Sequence, residues 1–153
     1  MADTKLKILV LQGPNLNLLG TRETGFYGSE TLEEIHERLR KEGAELGAEL
    51  DFLQSNHEGV LVDRIHKAGE EGVDGIVLNA ASLTHTSIAL RDALLGTQIP
   101  YIEIHISNVH AREDFRRESY LSEHARGVVF GFGPLGYSLA LRGLVEQLKR
   151  KQG

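Results

Sequence analysis

The chain has 153 residues, a formal net charge of -5 at pH 7 and no cysteine. Those values exclude disulfides, thiolate metal sites and cysteine nucleophiles, and they give no electrostatic ground for nucleic-acid binding. The length suits one domain spanning residues 1–153, and no apolar run approaches the roughly 18 residues a membrane helix needs. Met1 to Lys7 carries charge and only Ile8 to Leu11 follows as an apolar run, so no leader is expected and the chain reads as cytoplasmic.

Ile8-Leu9-Val10-Leu11 is a short continuous apolar run stopped by Gly-Pro, the pattern of a strand buried on both faces. The next stretch, Gly13 to Gly28, is too rich in Gly, Asn and Thr to hold a helix or a strand. It reads as an ordered turn presenting Asn15, followed by a mobile lid, Thr21 to Gly28, that carries Arg22 and Tyr27. A helix capped by Ser29 or Thr31 should then run through Leu32, Ile35 and Leu39 to Gly43 or Gly47. Further strands are expected at Leu50–Gln54, Gly75–Asn79, Ile99–Ile104 and Val128–Phe132, with helices at Val60–Gly69, Thr86–Leu95 and Tyr137–Lys149. Regular alternation of strand and helix means a parallel sheet covered on both faces. Five strands suggest the flavodoxin-like order 2-1-3-4-5, whose ligands bind beyond the carboxyl ends of the strands, between strands 1 and 3.

The residues that follow the strands are therefore the candidates. They are Asn15 to Tyr27, Ser55 to Glu58, Asn79 to His85, and Glu103 to Asn108, with Arg22, Arg112 and Arg116 as cations. Such a set fits a small, hydroxylated, anionic ligand. A guanidinium near Tyr27 favours the phenolate, so Tyr27 with Arg22 can abstract a proton alpha to a carbonyl; a loop Tyr beside an Arg is also a common surface contact. Glu103 and His105, two apart on a strand, share a face, and the carboxylate can fix the imidazole as a general acid, or the histidine can be a buried one satisfied by backbone. Asn15 and Asn79 equally suit turns, and His85 a cap or a packing role. His36 and His66 lie within helices and read as surface or packing residues.

Two patterns lead elsewhere and fail, and lysine placement excludes a mechanism. Gly131-Phe132-Gly133-Pro134-Leu135-Gly136 has the glycine spacing of a dinucleotide loop, but only one helix follows it, without the strand and acid such a site needs. His57-Glu58 lacks the second histidine of a zinc-protease motif, since Leu61 stands there. No lysine follows a strand, so a Schiff base with a bound ketone is not expected and carbonyl chemistry would pass through an enolate.

Taken together, Gly13-Pro14-Asn15-Leu16-Asn17-Leu18-Leu19-Gly20 with Arg22-Glu23 and Tyr27-Gly28, then Asn79-Ala80 with Leu83-Thr84-His85-Thr86-Ser87, then Glu103-Ile104-His105-Ile106-Ser107-Asn108-Val109-His110-Ala111-Arg112-Glu113, closely resemble the type II 3-dehydroquinate dehydratases. The likeness runs in order over essentially the whole chain. It implies a flavodoxin-like lyase that removes water from 3-dehydroquinate to give 3-dehydroshikimate, with no cofactor and no metal, assembled as a dodecamer of four trimers. By the same resemblance Tyr27 is the base and Arg22 lowers its pKa. Asn15 stabilises the enolate through a water, and His105, positioned by Glu103, protonates the departing hydroxyl. Asn79, His85, the Ile106 and Ser107 backbone and Arg116 would hold the substrate, Arg112 would support the phenolate, and Asp92 would reach a neighbouring subunit's pocket. Two departures stand out: Ala81-Ser82 where a Gly pair is frequent, and Thr24-Gly25-Phe26 in place of a Pro-containing lid. The alternative is a non-catalytic module of the same fold that binds a small molecule, a flavin or a phosphate.

Overall fold

Alternation along the first strand sets the layers. In the computed structural model, which describes residues 4–21 and 29–152, β1 (Leu6–Gln12) sends Ile8 and Val10 into one apolar cluster and Leu9 and Leu11 into another. β2 (Ala48–Gln54), β3 (Gly75–Asn79), β4 (Tyr101–His105) and β5 (Gly127–Phe130) complete one parallel sheet in the order 2-1-3-4-5, as the strand count predicts. The first cluster is closed by α1 (Leu32–Glu45) and α4 (Leu135–Gln152), through Leu32, Ile35 and Leu39 and through Tyr137, Leu141 and Leu144. The second is closed by α2 (Glu58–Glu71) and α3 (Ile88–Thr97), through Leu61, Ile65, Leu90 and Leu94. The fold is flavodoxin-like.

Element ends differ from expectation where a single residue redirects the backbone. β1 and β2 are longer than their apolar runs because parallel pairing continues from Leu6↔Ala48 to Gln12↔Gln54. β4 starts after Pro100 rather than before it and continues to His105, so that histidine is a strand residue. β5 stops at Phe130 instead of Phe132: Gly131 takes φ +92° and Gly133 φ +63°, and their N–H groups turn back onto the carbonyls of His105 and Ile106. The glycine-rich segment is thus a turn stitched to the end of β4. Thr31, not Ser29, caps α1, in a reciprocal box with Glu34. α2 begins two residues before Val60, and α3 begins at Ile88 with Ser87 as its cap, behind a 3-10 turn at Ala81–His85. The stretch after β1 also contains a 3-10 turn, Leu16–Leu18, where no helical structure is expected from sequence. Among the described residues, no helix is long and apolar enough to cross a membrane.

Candidate active site

The floor is made where the chain leaves β1. Gly13 donates its N–H to the Asn79 carbonyl at 2.8 Å, and it passes so near β3 that a Cβ there would lie 2.3 Å from the Ala80 oxygen. Only glycine allows that approach. Asn15 follows at φ +71°, a left-handed conformation that Asn tolerates better than most side chains. Its N–H donates to Asn56 Oδ1 at 2.9 Å, and Gln54 Nε2 donates to Asn56 Oδ1 and to the Gly13 carbonyl. The residues after β2, expected to face the ligand, instead hold this turn from behind.

Asn79 ends β3 and is buried. Its Oδ1 accepts from the Ala81 N–H at 3.1 Å, and its Nδ2 donates to the Tyr137 hydroxyl at 2.8 Å. That hydroxyl donates in turn to Gln12 Oε1 at 2.6 Å, and burial pushes its pKa up, so it stays a neutral donor. A buried relay from α4 through the ends of β1 and β3 therefore fixes the Asn79 amide. Ala81 sits at φ +53°, which explains physically why glycine suits this position: a Cβ in that region costs about 1–2 kcal/mol.

β4 supplies a paired carboxylate and imidazole. Glu103 is 1% exposed and His105 6%, and the His105 Nε2–H donates to Glu103 Oε2 at 2.5 Å. The expected geometry of residues two apart on one strand is present. Glu103 Oε1 accepts from Ser122 Oγ at 2.6 Å and from Ser119 Oγ at 3.1 Å. Burial alone would raise the Glu103 pKa; the hydrogen bond and charge of His105, then the two serines, outweigh it and hold the carboxyl below its ordinary range. The imidazole keeps Nδ1 as its remaining hydrogen-bonding position.

These ends converge on a cavity of about 320 Å³, at the lower end of small-molecule pockets. It is lined by Pro14, Asn15, Leu16, Leu18 and Leu19 after β1, by Asn79, Ala81, Ser82 and His85 at and after the end of β3, and by His105, Ile106, Ser107, Val109, Arg112 and Arg116 at and after the end of β4. The His85 and His105 rings lie stacked, 6.3 Å apart between centroids, and His85 Nδ1–H donates to the Glu118 carbonyl at 2.6 Å. Arg116 is held by Glu113 at 2.8 Å, and Arg112 reaches Ser107 Oγ at 3.4 Å. Asn15, Asn79, His85, His105, Ile106, Ser107, Arg112 and Arg116 thus share one cavity, with Glu103 behind it. Asp92 does not line it and is exposed on the outer face of α3. Arg22 and Tyr27, and with them the expected lid, lie outside the described residues; the described chain leaves at Thr21 and resumes at Ser29, and a Cβ on nearby Gly20 would be 2.9 Å from the Ser29 oxygen.

Sequence reasoning missed Ser119, Ser122, Tyr137 and Gln12, none of which follows a strand in the manner that marked the others. Leu16, Leu18 and Leu19 form an apolar wall of the cavity, which reading that stretch as a turn did not mark. Among the described residues no three His, Asp or Glu side chains gather as a metal site would require. What the cavity offers chemically is a carboxylate-backed imidazole, neutral amides and two guanidiniums: proton transfer to a bound anion.

Comparison with known proteins agrees with this chemistry. Residues 6–145 match the family described as dehydroquinase class II. A 3-dehydroquinate dehydratase of Methylococcus capsulatus is 59% identical over 143 residues, covering 94% of this chain and 97% of the relative. 3-Dehydroquinate dehydratase 1 of Pseudomonas aeruginosa has the same identity and coverage. Among solved structures, the type II dehydroquinase of Butyrivibrio crossotus superposes with a TM-score of 0.90 at 43% identity, over 93% of this chain and 99% of the other. With the family match and these relatives in agreement, the chain belongs to the class II dehydroquinases.

Proposed function

We propose that this chain is a 3-dehydroquinate dehydratase, a hydro-lyase acting within a single catalytic domain in the cytoplasm and needing neither cofactor nor metal. The observation that carries the reading is the convergence of Asn15, Asn79, His85, Arg112 and Arg116 on one cavity with a buried Glu103–His105 pair, in a chain of this family. In the proposed reaction Tyr27, its phenolate favoured by Arg22, removes the C2 proton. The electron pair moves to the C3 carbonyl oxygen, where Asn15 stabilises the enolate through a water. The enolate then collapses, the C1–O bond breaks, and His105 protonates the departing hydroxyl, so that water leaves anti to the abstracted proton. Asn79, His85, Arg116 and the Ile106 and Ser107 backbone hold the ring and its carboxylate, and Arg112 supports the phenolate side. The chain is proposed to act as a dodecamer of four trimers, with Asp92 reaching a neighbour's pocket. Ile88 and Leu95, 57% and 42% exposed, share the outer face of α3 with Asp92 and give that face the apolar character of an interface.

The test is a spectrophotometric assay for the conjugated enone product. Wild type should turn over, while Tyr27→Phe and His105→Ala should each lower kcat by about 10²–10⁴-fold with an unchanged circular dichroism spectrum. Near-normal turnover in both variants would refute the assigned roles. No enone from the wild-type protein would refute the activity.

A further inference from the structure

Behind the two histidines runs one short turn, Glu118–Ser122, that contributes nothing to the cavity wall. We propose that it is the positioning element of the site: Ser119 and Ser122 act on His105 through Glu103, and the Glu118 carbonyl acts directly on His85. The proposal rests on the dehydratase reading for its catalytic consequence, and on geometry alone for the clamp.

The hydrogen-bond directions are forced. Ser119 Oγ accepts from the N–H groups of Leu121 and Ser122, at 3.0 and 3.1 Å, which leaves its proton for Glu103 Oε1. Ser122 donates to the same oxygen. With Oε1 served by two hydroxyls, Oε2 is left to His105 Nε2–H. A carboxylate this deeply buried stays ionised only if several donors meet it, and an ionised Glu103 accepts but does not donate, so the His105 tautomer and ring plane follow from the serines. The same logic fixes His85: a carbonyl only accepts, so Nδ1 carries the proton and Nε2 is the ring's other position. The turn is itself pinned. The Tyr120 N–H donates to the Thr84 carbonyl at 3.0 Å, next to His85, the Tyr120 carbonyl accepts from Arg91 Nη1 at 2.9 Å, and the Leu121 carbonyl accepts from the Tyr101 hydroxyl.

Among the described residues, the groups facing the pair from each packed element are few. His85 faces it from the turn after β3, and Arg112 and Arg116 from the segment after β4. Tyr101 lies two residues away on β4, its hydroxyl pushed up to about 12 by burial and by the Glu103 charge, with Arg91 of α3 opposing that rise. Across the sheet the partners of Glu103 are the apolar Leu78 and Val128. The serines are therefore the neutral donors that set how readily the Glu103–His105 pair takes up a further proton.

Ser122→Ala is the cleaner probe, because Ser119 also holds the turn's own backbone. Its kcat should fall about tenfold with KM within twofold, and the basic limb of the kcat profile, where His105 loses the proton it delivers, should move up by about one pH unit. Ser122→Thr, which keeps the hydroxyl, should restore both. In the resting protein, proton NMR should show a far-downfield Nε2–H signal, assigned by its loss in His105→Ala, that shifts or broadens in Ser122→Ala and returns in Ser122→Thr. An unmoved basic limb beside an unmoved signal would overturn the proposal, even if kcat fell. Should the wild-type protein fail to dehydrate 3-dehydroquinate, that result counts against the proposed function, and the NMR comparison still decides the clamp.

Discussion

Tyr137→Phe removes one oxygen from a fully buried polar relay and should be costly for that reason. Tyr137 is fully buried, and its hydroxyl joins Gln12 Oε1 to Asn79 Nδ2, atoms of residues 0% and 3% exposed. Phenylalanine fills the same space without strain, so the cost is that of two polar groups stranded away from water, about 1–3 kcal/mol each. The bonds that survive, Gln12 Nε2 to His36 and Ala81 N–H to Asn79 Oδ1, use other atoms, so the two stranded groups together cost about 3 kcal/mol. At this chain length that lowers Tm by about 6–12 °C. Thermal unfolding followed by circular dichroism at a fixed protomer concentration reads it directly, the concentration being held because assembly adds to apparent stability. In an Asn79→Ala background the same substitution should cost less by about 1 kcal/mol or more, since one stranded partner is gone. A Tm within 2 °C of wild type would refute the relay as a stabilising element.

Two other predictions concern pH and assembly. His36 stacks on Phe52 with ring centroids 4.3 Å apart and accepts from Gln12 Nε2 at 3.3 Å, and burial, with the Arg40 charge, lowers its pKa to about 4. The unfolded chain binds that proton first, so the contribution is whole above about pH 6.5 and is lost as pH falls toward 4; discounted for partial exposure it is about 1–2 kcal/mol. His36→Leu should flatten the Tm profile between pH 7 and pH 5, and an identical slope in variant and wild type would refute the assignment. For assembly, Leu95→Glu places a charge on the exposed apolar face of α3 and should shift sedimentation to smaller species with loss of turnover. Asp92→Ala should leave the assembly whole and raise KM. A monomeric wild type at assay concentration would refute the proposed assembly.

The sheet was legible because β1 and β3 are runs too apolar to be anything but strands buried on both faces, and because α1 carries both its capping pair and its apolar stripe in the local sequence. What was not legible depends on contacts between distant segments. The end of β5 is set by hydrogen bonds from Gly131 and Gly133 to the carbonyls after β4, which no local pattern encodes. His85 looked like a helix start, yet it closes a 3-10 turn and answers to Glu118, 33 residues away. Glu103 with His105 was readable, being a strand-period pair, whereas Ser119 and Ser122 lie 16 and 19 residues beyond Glu103 in a turn with no periodicity. The positive φ of Ala81 was signalled only by comparison with a family pattern, since alanine itself gives no hint of a left-handed backbone.

The placement of charge also explains how a protein of net charge -5 can hold an anion at this site. Long-range attraction does not help, so the recognition must be local. Glu103 turns one carboxylate oxygen to the serines and the other to His105, so its charge is spent within the fold. Glu113 is exposed and pairs with Arg116 at 2.8 Å and with Arg112 at 3.8 Å, so its pull on either guanidinium is weakened by water while the geometry it imposes remains. Among the described residues, the surface offered to a ligand is thus two positioned cations, two imidazoles and neutral amides. The same separation bears on proton transfer: Glu103 does not line the cavity, so a ligand there meets His105 rather than the carboxylate bonded behind it.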